Sequence, residues 1–431
     1  MQVMKWSVIA LAVAAGTSQL AFASAQSESN GFVEDSSLNV LTRSLYFNRD
    51  WRNGNPRAAD GKDGKAEEWG LGFIGTYESG FTQGTVGFGV DAIGLLGVKV
   101  DSGRGRSGTG LFPEDSDGRS QDDYSEAGGA VKLRVSNTVL KYGDQFTALP
   151  VFNTDDSRLL PQSTTGFLLT SNEIAGLELN AGHFTAMNAQ NQTGRDSYGI
   201  AKSVDLIGGT YSFTDNLSAS LYYADNDDVA KKFYGNLNYN FDVAEGQNLG
   251  FDFNIYRTKY DNNTVATDGF FGNGVEGDRN TIWSLSSTYG IGAHAFTVAY
   301  QKSSGDVGYA YDIGDGGGTV WLANSVQRSD FNSKDEKSAQ LRYDLDFADY
   351  GVPGLKFMAR YVKGWGMDNG ANTEQEKEWE RNLQVSYTLQ DGPAKDLNMR
   401  VRQATYRADD GYQGGKIDEV RVILEYPLSI L

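Results

Sequence analysis

The 431-residue sequence predicts an all-β protein, an 18-stranded antiparallel transmembrane β-barrel with constriction loops folded inward. Three observations predict it. Apolar residues recur at every second position, the connections between those runs alternate in length, and an export leader precedes them all.

The leader comes first. Lys5 precedes the apolar stretch Trp6 to Ala15, and small residues lead to Ala23-Ser24-Ala25, an A-x-A cleavage pattern. This is the signature of a secretory signal peptide. Residues 1–25 are therefore set apart, and residues 26–431 are read as one barrel. Loss of Lys5 leaves the mature chain one unit more negative than the −18 of the full sequence.

Alternation then defines the strands. Leu249, Phe251, Phe253 and Ile255 are interleaved with Gly250, Asp252, Asn254 and Tyr256, and Phe233, Gly235, Leu237, Tyr239 and Phe241 with Tyr234, Asn236, Asn238 and Asn240. Such spacing belongs to a strand with unlike faces. It recurs near 37–47, 69–77, 85–92, 128–135, 138–144, 165–171, 177–184, 205–213, 217–224, 233–241, 249–257, 281–289, 294–302, 337–347, 355–364, 380–389, 396–406 and 418–428, eighteen runs in all.

Long connections fall at 48–68, 93–127, 145–164, 185–204, 258–280, 303–336 and 365–379, with tight turns such as Ser136-Asn137, Thr214-Asp215-Asn216 and Gly290-Ile291-Gly292 between them. A closed meander in an outer membrane has short turns on one side and long loops on the other. Hydrocarbon cannot satisfy open backbone groups, so a spanning sheet must close on itself. The mean hydropathy of −0.45 fits a sheet with one lipid face and one wet face. The absence of Cys excludes disulfides, cysteine nucleophiles and thiolate metal sites. An acidic chain without a basic face of the kind a phosphate backbone requires is no nucleic-acid binder.

If apolar positions meet lipid, their neighbours line the bore. In the last strand Val420, Val422, Leu424, Tyr426 and Leu428 face out, which leaves Glu419, Arg421, Ile423 and Glu425 inside. The same phase places Arg400 and Arg402, Lys356 and Arg360, and Lys132 and Arg134 inward. An arginine facing hydrocarbon at mid-bilayer costs about 2–4 kcal/mol, so phase and energetics agree. Guanidinium groups in a wet tube attract carboxylates through charge-assisted, bidentate hydrogen bonds. The alternative for any one of them is a plain salt bridge to an inward acid such as Glu419 or Glu425. Loops must also narrow so wide a bore. The segment 143–162, with Pro150, Pro161 and the apolar patch Leu149 to Phe152, is a candidate to fold inward. The segment 303–318, with Tyr311, Asp312 and Asp315, is a candidate for an opposing acidic side, or else a solvated external loop.

The stretches GFVEDSSLNVLTRSLYFNRD (31–50), YESGFTQGTVGFGVDA (77–92), SRLLPQSTTGF (157–167), TDNLSASLY (214–222), LGFDFNIYRT (249–258), YGVPGLKFMARY (350–361), GPAKDL (392–397) and EYPLSIL (425–431) closely resemble the porin D family of substrate-specific outer-membrane channels. The resemblance runs from residue 31 to the C-terminus. It implies a monomeric 18-stranded barrel, with a weak trimer as the alternative, set among outer-membrane lipid and lipopolysaccharide. It also implies passage of small carboxylate-bearing solutes along an arginine ladder. That ladder maps onto Arg49, Arg158, Arg400, Arg402 and Arg421; for Arg49 and Arg158, at loop ends, the assignment rests on the resemblance. A departure is Ser386, where the best-known member of the family has a lysine, so one rung is expected to be thinner. Amino acids and short peptides are the expected solutes, with simple or aromatic organic acids as the runner-up.

Two other function classes compete. A serine-type hydrolase needs a histidine beside a nucleophile, and the sequence holds only His183 and His294, each at the end of an alternating run. An adhesin acting through its loops would pass no current. No motif for a metal or organic cofactor is present, although the acidic run Asp115 to Asp123 could collect divalent cations adventitiously.

Overall fold

The computed structural model describes residues 24–52, 54–197, 203–261, 277–309, 320–368, 376–409 and 415–431. Eighteen strands form one antiparallel sheet: β1 (Ser37–Trp51), β2 (Lys65–Glu78), β3 (Val86–Ser102), β4 (Asp123–Val135), β5 (Thr138–Gln145), β6 (Ser163–Ile174), β7 (Leu177–Asn188), β8 (Val204–Thr214), β9 (Leu217–Asn226), β10 (Ala230–Ala244), β11 (Gln247–Tyr260), β12 (Arg279–Ile291), β13 (His294–Gly305), β14 (Lys337–Asp346), β15 (Leu355–Met367), β16 (Glu376–Thr388), β17 (Asn398–Ala408) and β18 (Lys416–Ser429). Each strand pairs with its sequence neighbours, and β1 closes on β18 from Asn39 opposite Ser429 to Trp51 opposite Ile417. Every expected run is a strand of this sheet. Several continue further on the long-loop side: β1 runs to Trp51, and β3 runs to Ser102, where outward Leu96, Val98 and Val100 keep the phase but inward Ile93 and Leu95 are apolar as well and mask the alternation.

The alternation of connections holds over most of the sheet and fails in two places; near the C-terminus the short-turn link 389–397 is longer than 368–375 and 409–415 on the other side. On the long-loop side residues 227–229 form a tight link between β9 and β10. The opposite end has two-residue links at 136–137, 175–176, 215–216, 245–246 and 292–293.

Side-chain exposure alternates with the pleat. Along β3, Val86, Phe88, Val90 and Leu96 are exposed while their neighbours are buried. Leu221, Leu341 and Phe233 are each more than half exposed. So much outward apolar surface is stable only against hydrocarbon. Aromatic girdles bound this band. At the short-turn end Tyr211 meets Phe213, Tyr239 meets Phe241 and Phe296 meets Tyr343. At the long-loop end the pairs are Tyr142 with Phe167, Tyr223 with Phe233, Trp283 with Tyr300 and Tyr361 with Trp379.

The inner face is apolar only where loops press on it. Residues 146–162 fold inward, as expected, and contribute Leu149, Val151 and Phe152 to a cluster with Phe184, Tyr234 and Tyr256. From the other side residues 320–336 enter the bore, and Val320 and Leu322 join the same cluster. Tyr256 ties them together, its hydroxyl donating to Pro150 O at 3.0 Å and accepting from Trp321 N at 3.0 Å. Leu159 and Leu160 pack with Leu45, Phe47 and Phe112 in a second cluster. There β2 has no side chain to spare: a Cβ on Gly72 would lie 2.7 Å from Leu159 O, and one on Gly70 2.6 Å from Leu159 and Phe112. Two inward glycines thus make the seat for the loop.

Gly72→Val is therefore expected to lift the 146–162 loop. Overpacking of this kind costs about 1–3 kcal/mol. Bilayer recording should give a larger single-channel conductance and gel mobility after heating a lower melting temperature; an unchanged conductance would show that the loop does not set the aperture.

Candidate functional site

Register builds one wall of the bore from six consecutive strands, β14 to β18 and β1. Arg342 lies opposite Arg360, which lies opposite Asn382. One row nearer the short turns, Gln384 lies opposite Arg402, Arg402 opposite Arg421, and Arg421 opposite Phe47. The next row runs from Lys356 through Ser386 to Arg400 and Ile423. Direct cross-strand pairing of like charges is unfavourable. The wall tolerates it because carboxylates and ring faces are interleaved with the guanidinium groups.

Phe47 is the platform for three of them. The guanidinium carbons of Arg421, Arg49 and Arg158 lie 4.2, 5.2 and 5.5 Å from its ring centre. Such cation–π contacts gain strength as water is excluded. Fully buried Glu419 accepts from Arg49 Nε at 2.6 Å and from Arg421 at 3.0 Å, so one carboxylate neutralises part of the cluster. Arg158 reaches the cluster from the inward loop. Its Nε donates to Thr109 O at 3.1 Å and its Nη1 to Ser157 Oγ at 2.7 Å. Burial, reinforced by Arg421 and Arg49, pushes it down to about 10, which leaves it charged at neutral pH.

The six arginines singled out from sequence all face the bore, but their partners differ. Arg49 and Arg421 share Glu419, and Arg400 donates to Glu425 at 3.1 Å, so a plain salt bridge is part of the answer for these three. Arg360 donates to a neutral group, Asn382 Oδ1 at 3.0 Å. Arg402 has no hydrogen bond or ion pair among the described residues, and its buried Nε has no acceptor. Lys356, also placed inward, stays largely exposed at the short-turn end beside Asp346. Tyr311, Asp312 and Asp315 lie outside the described residues.

Sequence reasoning missed Arg43. It binds Asp156 through two nitrogens at 2.7 and 3.0 Å, Glu425 at 2.8 Å and the carbonyl of Arg158 at 2.9 Å, and so clamps the inward loop to β1. Its two-residue spacing from Leu45 and Phe47 held the signal, since all three share a face. Also missed were Glu380, which accepts from the backbone of Ser329 at 2.8 Å, and the carbonyl of Gln327, which Arg421 reaches at 3.3 Å. Both fix the 320–336 loop.

The histidines stand apart from the bore. His183 Nδ1 lies 2.7 Å from Asp205 on the outward face, and His294 hydrogen-bonds Tyr343 at 2.8 Å and Tyr350 at 3.2 Å. Neither bonds to a serine among the described residues.

Comparison with known proteins gives concordant matches. A family described as outer membrane porin, OprD family, matches residues 30–430. The chain is 49% identical over 462 aligned positions to Porin D of Pseudomonas aeruginosa, with all of both chains covered. Its fold is similar to the crystal structure of Acinetobacter baumannii OccAB1, with a TM-score of 0.88 and 36% identity over 95% of this chain and 100% of that one. The crystal structure of Pseudomonas aeruginosa OprD gives a TM-score of 0.79 and 47% identity over 95% of this chain and 100% of that one.

The Arg43–Asp156 clamp is testable by a double-mutant cycle. Arg43→Gln and Asp156→Asn should each raise open-channel current noise, and the double variant should be no noisier than Arg43→Gln. Contacting pairs couple by about 0.5–3 kcal/mol; strictly additive effects would mean that the two side chains act separately.

Proposed function

The chain belongs to the OprD family of outer-membrane porins, and from that premise we propose that its bore selects solutes by their carboxylates, using Arg49, Arg158, Arg421, Arg402 and Arg400 in succession. The protein is a passive channel of the outer membrane and not an enzyme. The observation that carries the selective reading is Arg402, an inward guanidinium with no carboxylate of its own, between the Phe47 cluster and Arg400. A solute carboxylate entering at Arg49, Arg158 and Arg421 competes with Glu419 for those donors, passes to Arg402, and then competes with Glu425 for Arg400. Each stop is weakened by a resident acid or by water, and several weak stops conduct where one tight stop would trap.

Amino acids and short peptides are the proposed solutes. Asp156, about half exposed on the loop that carries Arg158, supplies a carboxylate within the same stretch of bore and could hold an ammonium group. A simple or aromatic organic acid would use the ladder alone. The six arginines are proposed binding residues, with Arg360 supporting the wall from β15. The barrel is proposed to act as a monomer.

Residues 1–25 are proposed to be removed on export. Gln26 is already tied to the short-turn end: its N donates to Ser136 O at 3.1 Å, its side chain donates to Thr82 O at 2.9 Å, and it accepts from Arg134 at 2.9 Å. Intact-mass measurement of protein from the outer membrane should match a chain beginning at Gln26; a mass including Met1 would refute the leader.

In liposomes, Arg400→Ala with Arg402→Ala should lower uptake of arginine and glutamate about tenfold and leave uptake of a neutral sugar within about twofold, since losing one charge-assisted contact costs about 1.5–3 kcal/mol. Equal effects on both solute types would remove the ladder from the mechanism. Benzoate taken up faster than arginine by the unaltered channel would favour the organic-acid reading.

A further inference from the structure

The outward phase of the same strands carries a second basic array, which the pore does not use. Lys302 on β13, Lys337 on β14, Lys363 on β15 and Arg381 on β16 all point away from the bore, since their neighbours Gln301, Ser338, Val362 and Glu380 are buried on the inside. The four lie at the long-loop aromatic girdle. Lys302 is directly opposite both Trp283 and Lys337, Lys337 is opposite Trp365, Lys363 is opposite Trp379, and Arg381 is opposite Tyr361.

Three features set this group apart from ordinary surface lysines. Lys302 and Lys337 are cross-strand partners of like charge, an arrangement that weakens a sheet unless an anion sits between them. Lys302, Lys337 and Lys363 form no ion pair among the described residues. Among the described residues Arg381 meets only neutral oxygens, Thr405 Oγ1 at 3.1 Å and Gln403 Oε1 at 3.4 Å, and these two side chains put further polar groups on a face that should be apolar. Elsewhere on the same rim the charges are cancelled: Lys231 pairs with Asp225 at 3.3 Å and Asp261 at 3.4 Å, and Lys259 with Asp261 at 3.5 Å.

We propose that Lys302, Lys337, Lys363 and Arg381 form a seat for the phosphorylated sugar headgroup of the outer-leaflet glycolipid. This rests on the outer-membrane placement of the barrel and is independent of which solute the pore admits. Two phosphate sources reach girdle height outside a barrel, the lipid headgroups and phosphate in solution. The lipid is favoured because the rings of Trp283, Trp365 and Trp379 continue beneath the cations into the apolar band, so a ligand with phosphates above and acyl chains below contacts both. Lysine stems can lie along that band and lift their ammonium groups to the phosphates. Charge-assisted hydrogen bonds to phosphate then neutralise the Lys302–Lys337 pair.

The full-length mature protein, in detergent, would be titrated with purified lipopolysaccharide, with the same glycolipid after enzymatic removal of its phosphates, and with inorganic phosphate, bound glycolipid being counted by native mass spectrometry. Wild type should retain lipopolysaccharide at least fivefold more tightly than Lys302→Gln/Lys337→Gln/Lys363→Gln, and the dephosphorylated form should bind both proteins equally weakly. Lys231→Gln/Lys259→Gln, on the acid-paired part of the rim, should bind like wild type. Heat-modifiable gel mobility checks that each variant is a folded barrel, and unchanged carboxylate conductance in the triple variant separates this seat from the pore. Equal retention by wild type and triple variant, equal retention of phosphorylated and dephosphorylated glycolipid, or displacement by millimolar inorganic phosphate would each overturn the proposal.

Discussion

A sheet in hydrocarbon has no solvent to complete its backbone hydrogen bonds, so everything in this protein depends on the closure of β1 against β18. The thirteen register pairs from Asn39–Ser429 to Trp51–Ile417 remove the last open edge. Closure also fixes which residues share a wall. Phe47 on the first strand and Arg421 on the last, almost the whole chain apart, become direct neighbours, and the arginine cluster exists only because the sheet is a ring.

An 18-stranded ring encloses more space than strand side chains fill, and the loops answer that. Their attachment is part apolar and part ionic. Leu149, Val151, Phe152, Val320 and Leu322 bury themselves against inward tyrosines, while Arg43 and Glu380 hold the backbone of the two loops. Arg43 is itself buried and is held by Glu425 as well as by the half-exposed Asp156, so its clamp on the loop does not depend on one solvent-facing acid. Glu68 on β2 holds another segment in a related way, its buried carboxylate accepting from Thr109 N and Ser120 Oγ.

These attachments explain what could and could not be seen in the sequence. The strand count, the outward apolar face and the inward position of Arg360, Arg400, Arg402 and Arg421 were legible because lipid enforces a period of two wherever it touches the sheet. The rule loses contrast where a loop presses from inside. On β1, inward Leu45 and Phe47 are as apolar as a lipid-facing pair, and on β10 and β11 inward Tyr234 and Tyr256 lie beneath the loops. Alternation alone therefore did not place Arg49, and it gave Arg43 no role. Arg158 and the 320–336 loop were out of reach for a different reason: a connection has no period, and its conformation is set by contacts remote in sequence, such as Leu159 against Gly70 and Gly72.

One consequence of the period of two is that each strand carries two independent electrostatic messages. On β17, Arg400 and Arg402 belong to the bore, and Gln403 and Thr405 to the outer surface beside Arg381. A slip of one position would exchange them, and would set guanidinium groups in hydrocarbon at about 2–4 kcal/mol each near mid-bilayer. Inward cations can sit at mid-bilayer height because water and carboxylates such as Glu419 and Glu425 accompany them. Outward cations are held to the girdle, where Trp283, Trp365 and Trp379 mark the end of the apolar band. The difference in height between the two sets is thus dictated by solvent. Charge on the inner face is free to follow the path of a solute, and charge on the outer face is free only to follow the lipid surface.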